Sequence, residues 1–148
     1  MKSILLLSVI AALCCSCGKQ SDQTGAQNNS DSAANGKFSV GFSQIGAESG
    51  WRTAETESIR SEAALRGIDL KFSDAQQKQE NQIKALRAFV AQGVSAIILA
   101  PVVETGWEPV LREIKQAKIP VILVDRGVKV SDDSLYTTLI ASDFVQEG

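Results

Sequence analysis

The chain has 148 residues, 44% of them hydrophobic and 22% charged, enough for one globular domain of ordinary size. A formal net charge of −2 with no long basic run argues against a dedicated nucleic-acid surface. The absence of histidine excludes a Ser-His or Cys-His catalytic pair and any histidine metal site.

The chain begins "MKSILLLSVIAALCCSCGK", which holds all three cysteines, Cys14, Cys15 and Cys17. Lys2 precedes an apolar run from Ile4 to Leu13 that is too short to span a bilayer and reads as an export signal. Ser16 before Cys17 and Gly18 after it resemble a bacterial lipoprotein cut, with Cys17 as the lipidated residue and residues 1–17 as the signal. The alternative is a plain signal peptide with incidental cysteines. Residues 18–36, "GKQSDQTGAQNNSDSAANG", contain no aromatic and no branched aliphatic side chain. Such a segment cannot offset an ordering entropy of about 1–2 kcal/mol per residue, and it reads as a flexible tether.

From Lys37 the pattern becomes that of a folded domain, 37–148. "FSVGFSQ" alternates, with Phe38, Val40 and Phe42 on one side of a predicted strand. A polar helix is predicted from Gly50 to Arg66, ended by Gly67. "IDLKFS" alternates again. The next helix is expected from Gln77 to Gln92, with Ile83, Leu86, Phe89 and Val90 as its apolar stripe and Gly93 as its stop. "VSAIILAP" and "IPVILVDR" are continuous apolar runs, as strands covered on both faces require. Between them, Thr105 and Glu108 have capping-box spacing and Pro109 falls in the first turn of a third helix. A turn at "VSDD" leads to a last strand in "LYTTLIAS". Strands alternating with helices predict an α/β fold, a three-layer parallel sheet with helices on both faces.

Ligands on such sheets bind outside the carboxyl ends of the strands, where two segments carry unusual chemistry. "VGFSQIGAESGWR" has a P-loop's first half, but Ala47 and Glu48 stand where Lys and Ser or Thr are needed, and Glu48 would repel a phosphate. The second segment is Asp125-Arg126, directly after the fourth strand. Together Glu48, Trp51, Arg52, Asp125 and Arg126 suit a sugar. Carboxylates accept from hydroxyls, guanidinium groups donate in a fixed fork, and an indole face covers a C–H patch. Each has a plainer reading: Trp51 packed on the sheet, Glu48 and Arg52 as a solvated pair, Asp125-Arg126 as a salt-bridged turn, Asp74 as a local cap, Trp107 packed at its helix start. No nucleophile–base pair, metal cluster or phosphate loop supports an enzyme, and no cofactor is expected.

"GFSQIGAESGWRTAE", "DAQQKQENQIKALRAFVAQGVSAIILAPVVETGWEPVL" and "IPVILVDR" resemble the substrate-binding proteins of bacterial sugar ABC importers, of the ribose-binding, type 1 periplasmic binding fold. The resemblance implies two lobes closing on a monosaccharide, here in a furanose form. It implies stacking by Trp51, hydroxyl contacts from Glu48, Arg52, Asp125 and Arg126, and a crossing segment at "ASDF", Ala141 to Phe144. It implies an ABC permease and its ATPase as partners and a cell-envelope or periplasmic location, to which the lipoprotein-like cut adds a membrane anchor at Cys17. Handing the sugar to a chemoreceptor or sensor kinase is the alternative. A LacI-like regulator would need a DNA-binding helix-turn-helix where the signal and tether stand. The family's second lobe is missing after Gly148, which predicts a truncated frame or fragment with exposed apolar surface, marginal stability and weak or absent sugar binding.

Overall fold

The computed structural model describes residues 37–143 together with Gln146. The signal, the tether and Phe144 of the crossing segment lie outside these residues. Five strands alternate with three helices: β1 (Ser39–Gln44), α1 (Gly50–Leu65), β2 (Asp69–Asp74), α2 (Gln79–Gln92), β3 (Ala96–Leu99), α3 (Glu108–Gln116), β4 (Val121–Val124) and, after a 3₁₀ turn at Asp133–Leu135, β5 (Thr138–Ile140). The sheet is parallel throughout and ordered β2-β1-β3-β4-β5. The order reverses at β1, which has β2 on one side and β3 on the other. Right-handed crossovers therefore put α1 on one face and α2 with α3 on the opposite face.

The two-residue period of each strand distributes its side chains between those faces. Ile97 and Leu99 of β3 and Val121 and Leu123 of β4 join Leu86 and Phe89 of α2 and Trp107, Val110, Leu111 and Ile114 of the α3 region in one buried cluster. Phe42, Val124 and the half-buried Ile98 and Ile122 face the other way, toward Ile59 of α1 and Phe72 of β2. Gly41 explains how β1 fits centrally. A Cβ there would lie 2.5 Å from the Phe89 ring, so the missing side chain lets α2 close directly onto the strand backbone.

Three local expectations differ from the structure. Phe38 precedes β1 and is 56% exposed, so the alternating set on that side is Val40 and Phe42. The helix expected from Gln77 begins at Gln79, because Gln76 and Gln77 take positive φ (52° and 60°) in a turn where the Asp74 carboxylate accepts from the Gln76 N–H. The capping box at Thr105 and Glu108 does not form. Trp107 occupies the cap position of α3, and Glu108 instead accepts from Arg112 and from the backbone and hydroxyl of Ser131. Those bonds hold its carboxyl down at about 2. Trp107 is fully buried and its indole N–H donates to the Val103 carbonyl at 2.6 Å, as expected of a residue packed at a helix start.

Candidate functional site

The loop after β1 delivers Trp51 and Arg52 to the carboxyl edge of the sheet. Ser49 is extended (φ −138°) and its hydroxyl accepts from the Arg52 N–H at 3.3 Å, so it caps α1 and places Trp51 and Arg52 in the first turn. Across the sheet, β4 ends in a tight three-residue turn. Asp125 at its centre has φ +69°, and the Arg126 N–H bonds to the Val124 carbonyl at 2.8 Å. This is the φ of the rare γ-turn, uncommon for a residue with a side chain and persisting only where the surroundings hold it. The Asp125 N–H is fixed in turn by the Ile140 carbonyl of β5 at 3.0 Å.

The turn aims the Asp125 carboxylate at α1. Arg52 Nη1 donates to Asp125 Oδ2 at 2.7 Å, and both side chains are only 12% exposed. On its other edge Arg52 Nε pairs with Glu48 Oε1 at 2.5 Å. The guanidinium is thus held between two carboxylates, one from its own loop and one 73 positions along the chain. Such a fork is rigid, and charge-assisted bonds of this kind are the strong ones.

Above this pair opens a cavity of about 630 Å³, lined by Ser49, Trp51, Arg52, Glu55, Asp125 and Ser142, with Val124, Ile140 and Ala141. Its size lies within the ordinary range for small-molecule sites. Trp51 is 54% exposed and lines this space. Trp51, Arg52 and Asp125 therefore meet at one cavity. Glu48 stands behind Arg52 as its ion-pair partner. Arg126 is directed elsewhere, its Nη1 reaching the Val102 carbonyl at 3.4 Å with its Nε 3.7 Å from Asp125 Oδ2.

Sequence reasoning did not find Gln44, Glu55 or Gln82. Gln44 is buried at the end of β1; its side-chain Oε1 accepts from the Ile45 N–H at 2.8 Å, and its side-chain Nε2 donates to Glu55 at 2.8 Å and Thr56 at 3.3 Å. Glu55 lies on the α1 wall of the cavity, where burial pushes its carboxyl up. Gln82 is fully buried in α2, donating to the Ala100 carbonyl at 2.6 Å and accepting from the Val102 N–H at 2.8 Å. It pins the chain where it leaves β3. A glutamine in an apolar helical stripe is the available signal, since a buried amide must be matched by backbone. Among the described residues no cluster of Asp, Glu, Cys or His could hold a metal ion.

A model of the periplasmic binding protein domain matches residues 40–148. The galactofuranose-binding protein YtfQ of Escherichia coli K12 is 64% identical over 111 residues, covering 75% of this chain and 35% of that protein. The fructose import binding protein FruE of Bifidobacterium longum is 38% identical over 118 residues, covering 79% and 36%. Among solved structures, the periplasmic binding protein component of the arabinose ABC transporter from Shewanella sp. ANA-3, bound to α- and β-L-arabinofuranose, superposes with a TM-score of 0.72 at 71% identity, covering 74% of this chain and 36% of that one. The chain thus spans about a third of the length of these relatives. With its all-parallel sheet and the matched 109-residue span from Val40 to Gly148, the chain belongs to the periplasmic binding protein domain family.

Proposed function

We propose that this chain supplies one sugar-gripping lobe of the solute-binding component of a sugar ABC import system, taking up a monosaccharide in its furanose form outside the inner membrane. The carrying observation is the convergence of Trp51, Arg52 and Asp125 on one cavity at the carboxyl edge of the sheet. In this reading the indole covers a C–H patch of the ring, while Asp125 and Arg52 take adjacent hydroxyls as acceptor and donor. Glu48 holds the guanidinium in register, while Arg126, on the same turn, would reach the sugar only on leaving the Val102 carbonyl. The relatives named for galactofuranose and arabinofuranose support a five-membered ring as ligand. The partners are then a permease and its ATPase, with a lipid at Cys17 tethering the chain to the membrane across residues 18–36.

The test is calorimetry with L-arabinose and D-galactose on the chain and on Trp51→Ala and Asp125→Ala. A weak but saturable heat is expected from the unaltered chain, which grips the ring from one side, and it should be lost in both variants. Equal heats from all three, or none from the unaltered chain, would reject the site.

A further inference from the structure

Glu55 is not needed for the stacking and ion-pair arrangement above, yet it is built into the same wall. It follows Trp51 by four residues and Arg52 by three, so the three side chains share one face of α1. All three line the cavity. Its Oε2 accepts from the Gln44 amide at 2.8 Å, and Gln44 is itself immobilised by the Ile45 N–H and the Thr56 hydroxyl. The carboxylate is therefore oriented from behind by a buried amide. A carboxylate has about four acceptor positions. Among the described residues Gln44 is the one hydrogen-bond donor that reaches it, and Glu55 is among the residues that line the cavity.

The charges around it decide what can fill that capacity. The groups that act on Glu55 are Asp125 from the end of β4 and Arg52 from its own helix. Arg52 is already held by Glu48 and Asp125. Of the two carboxylates in the cavity wall, Asp125 is paired with Arg52 and has Arg126 Nε at 3.7 Å, whereas Glu55 forms no ion pair among the described residues. Such a wall accepts hydroxyl hydrogens and repels a phosphate or a carboxylate on the ligand.

We propose that Glu55 is a specificity-determining residue of this cavity, accepting a ligand hydroxyl and restricting the site to neutral sugars against uronates and sugar phosphates. The inference deepens the sugar reading and rests on it. A half-buried anion with one hydrogen bond is under-satisfied, and a ligand hydroxyl supplies the second bond on arrival. Burial raises the carboxyl's pKa, so the charged acceptor form is gained as pH rises through that raised value.

The experiment titrates L-arabinose and D-galacturonate into the unaltered chain, Glu55→Gln and Asp125→Ala, following tryptophan fluorescence at pH values from the carboxylate range to neutrality. Glu55→Gln keeps an acceptor oxygen for the Gln44 amide, and its melting temperature reports whether the fold is intact. The unaltered chain is expected to bind arabinose and not galacturonate, with affinity rising with pH. Glu55→Gln should weaken arabinose about tenfold, admit galacturonate and lose the part of the pH dependence that the Glu55 carboxyl contributes. Arabinose bound equally by the unaltered chain and Glu55→Gln, with the same discrimination and pH profile, would leave Glu55 as a structural partner of Gln44 and overturn the inference. Arabinose bound by neither the unaltered chain nor any variant would overturn the sugar reading itself, and this inference with it.

Discussion

On one face of the sheet, α2 and α3 bury Leu86, Phe89, Trp107, Leu111 and Ile114 against β3 and β4. On the other, α1 stands alone, with Ala63 its one buried residue, and leaves Ile98 and Ile122 half-covered. Beneath it runs an apolar cavity of about 280 Å³ lined by Val40, Ile59, Ala63, Leu70 and Ile98 among others. The two tryptophans divide in the same way, Trp107 fully buried on the first face and Trp51 half-exposed on the second. The contrast separates two tasks. Dense apolar packing makes the α2–α3 face the source of stability. The α1 side carries, at the carboxyl edge of the sheet, the polar and aromatic groups that are held in place around the cavity, where a ligand can meet them.

The largest expected effect breaks this contrast at the tryptophans. Trp107→Ala should lose about 3–5 kcal/mol of unfolding free energy, from cavity formation and the orphaned Val103 carbonyl. Trp51→Ala should stay within about 0.5 kcal/mol of the unaltered chain. Urea denaturation of both measures the difference, and similar losses would erase the division of tasks. Next in size is Gln82→Leu, which strands the Val102 N–H and the Ala100 carbonyl. A loss of about 1–3 kcal/mol is expected by the same assay.

Lys118 offers a gain on the stable face. It sits just past the end of α3 with φ +59°, a conformation that suits glycine. Lys118→Gly should raise stability by up to about 1 kcal/mol, read as a higher melting temperature.

The smallest effect concerns pH, where the two faces should differ in sign. Glu108 on α3 has its carboxyl lowered to about 2 by Ser131 and Arg112. Its contribution is present above the ordinary carboxylate range and is lost as pH falls through about 2. Glu55 on α1 is raised chiefly by burial. Its contribution is present below the ordinary carboxylate range and is lost as pH rises through its folded value. Stability curves of Glu108→Gln and Glu55→Gln against pH should therefore depart from the unaltered chain in opposite directions.

Much of this arrangement is legible in the residues themselves. Continuous apolar runs at "AIIL" and "VILV" mark strands buried on both sides, and the glycine loop before Trp51 marks the ligand edge. Periodicity does not reveal the bonds that join distant segments. Arg52 and Asp125 are brought together by the crossovers, not by spacing. Gln44, Gln82 and Glu55 look like ordinary polar residues until the fold supplies their partners. The capping box at Thr105 and Glu108 fails for the same reason, since Ser131 and Arg112 draw Glu108 away. Gly41 and Ser43 look like the solvent side of an alternating strand, yet both are buried, because small residues let α2 approach β1.

The two indole N–H resonances of the nitrogen-15-labelled chain give the most direct test of the central claim, that recognition belongs to the α1 face. Titration with L-arabinose should move the Trp51 resonance along a saturating curve and leave Trp107 in place. A Trp51 resonance that stays fixed throughout, or a Trp107 resonance that moves in its stead, would contradict it.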